Sequence, residues 1–245
     1  MSYQRQITPR SIVWARRAFG STIEFTACSR HMIRAVESLG KWHVVPNGVP
    51  LRAFTFQSRV AADAPLVFLG RLEEIKGPHL AIEAARRARK RLILAGNVEP
   101  AHQDYFDERI RPFIDDDTVR YVGPVTDREK NELLGGAAAL LMPILWDEPF
   151  GIVMAEALAC GTPVVGFRRA SVPEVVSDGL TGFLASSMVE LTDAVARVPQ
   201  IDRRKCREAA ETRFSDRAIV QQYESLYRRK RASGSQAATL SDAAS

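Results

Sequence analysis

Residues 140–166 read LLMPILWDEPFGIVMAEALACGTPVVG, and this stretch decides the fold. Leu140 to Met142 and Pro163 to Gly166 are short apolar runs of the length expected for buried strands. Between them, Gly151 to Cys160 is long enough for a helix and apolar at nearly every position, so that helix is buried on all sides. Gly161 can take the left-handed cap, and Pro163 stops the helix from continuing. Strand, helix and strand in this order make a parallel unit with both sheet faces covered.

The same alternation extends in both directions. Further strands are predicted at Leu66 to Leu69, Arg91 to Ala95, Val119 to Val122 and Gly182 to Ala185. Further helices are predicted at Pro78 to Ala88, His102 to Ile114, Asp127 to Gly135 and Met188 to Arg197. Gly77-Pro78 opens the first of these with proline in the tolerated first turn. Six strands joined by helices imply an α/β, Rossmann-like parallel sheet built by right-handed crossovers. The domain expected to bind a ligand covers residues 51–214. Ahead of it, residues 1–50 read as a remnant: helix, strand (Thr22 to Ala27), helix (Ser29 to Leu39) and a crossover. One βα unit cannot cover both faces of its strand, so it calls for a sheet not evident in the sequence. Two helices follow the main sheet, at Asp202 to Phe214 and Asp216 to Lys230, the latter forming a C-terminal unit over residues 215–231. A Ser/Ala-rich tail over 232–245 is expected to be disordered.

Composition bounds the function. The chain has 245 residues, 46% hydrophobic and 26% charged, which suits a globular protein with a real core. No apolar run reaches the ~20 residues of a bilayer span, and the N-terminus has no apolar signal core. Cys28, Cys160 and Cys206 are too few and too scattered for a disulfide framework, so the expected location is cytoplasmic. The formal net charge is +5, with basic residues gathered at Arg5, Arg10, Arg16 and Arg17 and at Arg228 to Arg231. These read first as solvated helix faces and second as a weak contact with an anionic membrane surface, peripheral to its inner face. Nucleic acid is not expected as a partner. His31, His43, His79 and His102 have no zinc-ligand spacing and read as surface or capping residues, so no metal is expected.

Two segments carry chemistry. Glu156 is a carboxylate in an otherwise apolar helix, which is costly without hydrogen bonds or a partner. It either pairs within the core or accepts hydrogen bonds from vicinal hydroxyls such as those of a ribose. Glu148 stands ahead of that helix, where the free amides of Phe150, Gly151 and Ile152 suit an anion. In the second segment, FLGRLEEIKGP at 68–78, a strand runs into Gly70-Arg71 and Lys76 precedes a helix. Two cations beside a helix N-terminus suit a diphosphate. The chain has no Gly-x-Gly-x-x-Gly after this strand and no Walker-type loop, so nicotinamide and P-loop readings lack support.

Together these segments resemble the family-4 retaining glycosyltransferases of the two-domain GT-B fold. The resemblance runs from about Phe25 to Phe214 through TACSRHMIRAVESLG, VVPNGVPLRAF, FLGRLEEIKGPHLAIEAA, LILAGN, VRYVGPV, MPILWDEPFGIVMAEALACGTPVVG and VPEVVSDGLTGFL. It implies a nucleoside-diphosphate sugar as donor substrate and no cofactor. Arg71 and Lys76, with Gly70 beside them, would hold the diphosphate, and losing either cation would cost about 3 kcal/mol in the transition state. Glu148 and the backbone at Phe150, Gly151 and Ile152 would hold the donor sugar, and Glu156 the ribose. Arg71, Lys76 and Glu148 are the candidate catalytic residues. The chain departs from the family at Pro50, where aspartate is usual, and at Arg169-Ala170-Ser171, where a glycine pair is usual. The loop to Glu174 therefore reads as structural. The resemblance also implies an acceptor-side domain that is largely missing, so that this chain alone is expected to be inactive. A separate chain could supply that domain, or exposed apolar surface could drive self-association. Two alternatives remain: a non-catalytic nucleotide-sugar-binding module and, ranked lower, a sugar-nucleotide epimerase.

Overall fold

The computed structural model describes residues 1–3 and 7–242, with side chains for all of these except residues 21 and 233–242. The described elements run β1 (Ser2–Tyr3), α1 (Pro9–Phe19), β2 (Glu24–Ala27), α2 (Arg30–Ile33), β3 (Lys41–Val44), β4 (Leu66–Leu69), α3 (Pro78–Arg87) and β5 (Leu92–Ala95). They continue α4 (Gln103–Arg109), β6 (Val119–Tyr121), α5 (Asp127–Gly136), β7 (Ala139–Met142), α6 (Ile152–Ala159), β8 (Val164–Phe167), α7 (Val172–Val175) and β9 (Gly182–Ala185). The chain ends in α8 (Met188–Arg197), α9 (Arg203–Ala209) and α10 (Asp216–Asp242).

The main sheet has six parallel strands in the order β6-β5-β4-β7-β8-β9. Each strand is only three or four residues of mainly apolar side chains, because helices cover both faces. Leu66, Val67, Leu92, Leu94, Leu140, Val164 and Val165 are all buried in one continuous core. The strand order holds the key to the site. From β4 the chain winds outward through β5 and β6, returns to β7 beside β4, then winds the other way through β8 and β9. Neighbouring strands whose connections leave in opposite directions open a crevice at their carboxyl ends. That switch point lies between β4 and β7.

The N-terminal segment corrects the expectation of an unsupported βα unit. A second parallel sheet, β1-β2-β3, forms within the chain, and β2 is paired on both edges. Ile12, Ala15, Phe25, Ala27, Ile33 and Val36 make its core. Phe25, Trp42 and Tyr3 pack as a ring cluster, with the Phe25 and Trp42 centroids 4.9 Å apart. Two predicted helices are broken. The helix expected over Ser29 to Leu39 is one turn, capped by Ser29, then a 3-10 turn at Glu37–Leu39. That over His102 to Ile114 stops at Arg109, because Pro112 bars a continuous helix and a 3-10 turn at Arg111–Phe113 replaces it. The last helix overruns its predicted end at Lys230 and reaches Asp242, across most of the stretch expected to be disordered. Residues 243–245 of the expected tail, and Arg5 of the basic N-terminus, lie outside the described residues.

Candidate functional site at the strand crossover

Three short pieces of chain meet at the switch point. The first leaves β4 through Gly70-Arg71 and turns at Glu74–Lys76 into α3. Gly77 makes this turn possible: its φ is 75°, and a Cβ there would lie 2.1 Å from the Pro143 carbonyl oxygen. The loop is thereby pressed against the second piece, which leaves β7 through Pro143 to Glu148; the Leu145 amide donates to the Ile75 carbonyl at 2.8 Å. The third is the amino end of α6, reached through Gly151 at φ 71°.

This arrangement brings Lys76 and Glu148 together. Lys76 Nζ lies 2.6 Å from Glu148 Oε2, and the indole Nε1 of Trp146 donates to the same oxygen at 3.0 Å. The ammonium also stands 4.3 Å from the centroid of the Trp146 ring. Neither charge is fully withdrawn from water: the side chains keep 16% and 11% of their exposure. Arg71 is half exposed at the same rim, 2.8 Å from Glu73 Oε1 and 3.4 Å from Glu99 Oε1. Glu73 itself is buried and also lies 3.2 Å from His102 Nε2.

Glu156 is held elsewhere than Glu148. It sits in the second turn of α6, and its Oε1 accepts from Lys130 Nζ at 2.7 Å. Lys130 comes from the first turn of α5, whose start is fixed by a capping box between Thr126 and Glu129. Burial works against the charge on Lys130, but the hydrogen bond to Glu156 and the fields of Glu156 and Asp127 outweigh it, so its pKa is raised. Phe150 points its ring inward, buried against Phe214 at 5.7 Å between centroids, so only its backbone faces the crevice. Ile152 is exposed at the helix end. The Met154 amide donates back to the Gly151 carbonyl at 3.0 Å, and the chain enters the helix beside Glu148.

Sequence reasoning missed Lys130 and Trp146. Lys130 stands in a charged run, TDREKNE, that reads as a solvated face, and nothing local tells which member turns inward. Trp146, two residues before Glu148, could have been found from the cost of leaving an indole N–H unpaired beside a carboxylate. Glu174, read as structural, has a structural partner: its carboxylate accepts from the amides of Arg30 and His31 at 2.6 and 2.7 Å, closing the amino end of α2. The four histidines each have local partners. His43 Nε2 is 2.6 Å from Glu24, His79 Nδ1 is 2.6 Å from the Tyr105 hydroxyl, and His31 Nε2 is 3.6 Å from Asp147. Cys28 lies against the site loop, its Sγ 3.6 Å from the Pro149 carbonyl. Burial pushes its thiol up to about 11, so it is a packed thiol rather than a nucleophile.

A family model described as "Glycosyl transferases group 1" matches residues 55–213. The chain belongs to this family. The match takes in the main sheet, the Arg71–Lys76 loop, Glu148 and Glu156. Among curated relatives of this group 1 glycosyltransferase chain, the D-inositol 3-phosphate glycosyltransferase of Paenarthrobacter aurescens (strain TC1) is 33% identical over 166 residues, covering 60% of this chain and 40% of that protein. The glycogen synthase of Mycobacterium tuberculosis (strain H37Rv) is 32% identical over 217 residues, covering 83% of this chain and 52% of that protein. The chain thus spans about half or less of the length of these curated relatives. Among solved structures, Anabaena Alr3699/HepE in complex with UDP and glucose superposes with a TM-score of 0.75 at 23% identity, covering 92% of this chain and 71% of that one. The fold is therefore the α/β architecture of the GT-B glycosyltransferases, as expected. No described helix is long and apolar enough to cross a membrane.

Proposed function

We propose that this chain is the donor-binding part of a retaining glycosyltransferase, holding a nucleoside-diphosphate sugar for transfer of a hexosyl group to an acceptor hydroxyl. The observation that carries the reading is the Lys76–Glu148 pair beside the amino end of α6, at the switch point between β4 and β7. A cation, a carboxylate and the amino end of a helix within one crevice suit the parts of such a donor. Arg71 and Lys76 face the diphosphate, where negative charge grows as the bond from the sugar's anomeric carbon to the phosphate oxygen breaks. Glu148, acceptor-only when ionised, holds hydroxyls of the sugar. Glu156 holds the ribose. In retaining transfer the acceptor hydroxyl attacks from the face that the diphosphate leaves. The departing phosphate oxygen then takes the hydroxyl's proton, giving the glycoside and free nucleoside diphosphate. The HepE structure named above was determined with UDP and glucose, which makes UDP the first nucleotide to try.

The test is a calorimetric titration of the purified chain with UDP, GDP and ADP, repeated on Glu156→Ala. One saturable nucleotide, with affinity reduced at least ~10-fold in the variant, is the expected outcome. A folded chain that binds none of the three would overturn the reading. Release of free nucleoside diphosphate from the matching nucleotide sugar by this chain alone, at an enzyme-like rate, would overturn the half-site expectation, and binding without turnover even with candidate partner chains would favour a module that only binds.

A further inference from the structure

We propose that Lys130 is a positioning residue that sets Glu156 to distinguish ribose hydroxyls on the donor nucleotide. The inference rests on the donor-site reading above and adds to it a residue from a different helix. Glu156 has no polar neighbour on its own helix, since the rest of α6 is apolar. A carboxylate alone there would rotate about its side-chain torsions. Lys130 prevents this by engaging one oxygen only: its Nζ lies 2.7 Å from Oε1, and no described group donates to Oε2. One oxygen is thus fixed and the other left for a ligand. The same ammonium is 3.2 Å from Asp127 Oδ1 and 5.6 Å from the Phe54 ring centroid, so it is steered from two further sides. Its backbone is equally fixed, with the Lys130 amide donating to the Thr126 carbonyl at 2.8 Å behind the capping box.

The chemistry that follows is selective. Vicinal hydroxyls offer two donors to a carboxylate, whereas a sugar lacking them leaves the buried charge unmatched. Lys130 also lies at the carboxyl side of the sheet, because α5 begins after β6 ends, which is the side where the crevice opens. Its role is indirect: it holds the residue that reads the sugar. A lysine that merely neutralised a buried carboxylate would affect stability and leave ligand discrimination intact.

The experiment measures binding of UDP, GDP and ADP and of their 2′,3′-dideoxy counterparts to the full chain. Variants are Lys130→Met, Lys130→Arg and Glu156→Gln, each checked for its unfolding midpoint. Wild type is expected to prefer the ribose form of its nucleotide by about 10-fold or more, the range for hydrogen bonds to a charged group. Lys130→Met is expected to bring that ratio close to one while binding of the dideoxy form stays within about 2-fold of wild type. Lys130→Arg is expected to restore most of the ratio, because it keeps a cationic donor on Oε1. If Lys130→Met proves unstable, Lys130→Gln, which keeps a polar side chain without the charge, takes its place and is expected to show the same loss.

Retention of the ratio in Lys130→Met, with its loss in Glu156→Gln, overturns the positioning role and leaves the donor site standing. An equal loss for ribose and dideoxy forms also overturns it, by making Lys130 a direct phosphate contact. A wild type that binds no nucleotide, or a Glu156→Gln that keeps the ratio, sinks the ribose reading itself and this inference with it.

Discussion

Taking the Lys76 ammonium and the Glu148 carboxylate out of water costs free energy that their 2.6 Å contact offsets only while both are present. Lys76→Met strands a nearly buried carboxylate. With both side chains keeping a little exposure, the expected loss is about 2 kcal/mol, between the values for surface and fully buried pairs. Lys76→Met with Glu148→Met removes both charges and should recover most of that loss. Urea denaturation of the two singles and the double gives the coupling directly. A coupling under about 0.5 kcal/mol would mean that water screens the pair and that it contributes nothing to the fold. Either way, both singles are expected to lose affinity for the nucleotide sugar, which separates ligand binding from stability at the same two residues. At this scale the sequence singles out the charged groups but not their partners in the fold. Glu148 and Glu156 stand out because carboxylates beside apolar runs need a reason. Lys76 as the partner of the first, and Lys130 of the second, come from strands and helices 72 and 26 residues away, a distance that no local pattern encodes.

At the scale of one element, α6 shows how backbone geometry places chemistry. Gly151 enters it at φ 71°, and a Cβ would meet Met154 Cε at 2.7 Å and Glu148 Cγ at 3.3 Å. Gly151→Ala therefore takes on a left-handed backbone costing about 1–2 kcal/mol and presses on the Glu148 side chain. The expected result is a melting temperature lower by several degrees together with weaker nucleotide binding, read by calorimetry on one sample. Unchanged binding in a destabilised variant would show that the helix end can shift without disturbing Glu148. The strands of the main sheet were legible because burial on both faces makes them continuously apolar, so Leu66–Leu69 and Gly182–Ala185 match their predicted limits. β3 was not outlined this way: Lys41-Trp42-His43-Val44 mixes charge and aromatics along a half-covered strand. β1 has two residues, too few for any pattern. The π-turn that joins α9 to the last helix, Ala210–Phe214, is set by packing of Phe214 and lies beyond helix propensity.

For the whole molecule, unequal cores imply unequal stability. The N-terminal sheet rests on a cluster of six buried side chains, whereas the main sheet has a far larger core that reaches Phe214 and takes in Cys28 from the N-terminal segment. The smaller unit therefore depends on what ties it to the larger. Val49 pairs with Ser215 across the junction, the Val49 amide donating to the Phe214 carbonyl at 2.8 Å. Glu174 reaches over to cap α2, and Arg213 holds the backbone of Glu174 and Val175 in place for it. Farther out, Lys230 of α10 donates to the Thr22 carbonyl. Apart from Cys28 and Met32, which pack against the main core, these ties are mostly polar, so opening of the N-terminal unit should require less free energy than global unfolding. Hydrogen exchange followed by mass spectrometry is expected to show amides of α1, β2 and β3 exchanging ahead of those in β4, β5, β7 and β8. Glu174→Ala should widen that gap by about 1 kcal/mol, the usual worth of a helix cap, without slowing or speeding exchange in the central strands. Equal protection in both sheets would mean that the junction transmits the full stability of the main core. The distinction bears on the crevice, because His31 of α2 stands 3.6 Å from Asp147, the neighbour of Glu148. An N-terminal unit that opens on its own would uncover the site loop each time it does so, and binding of a nucleotide sugar beside that loop should in turn slow exchange in α2.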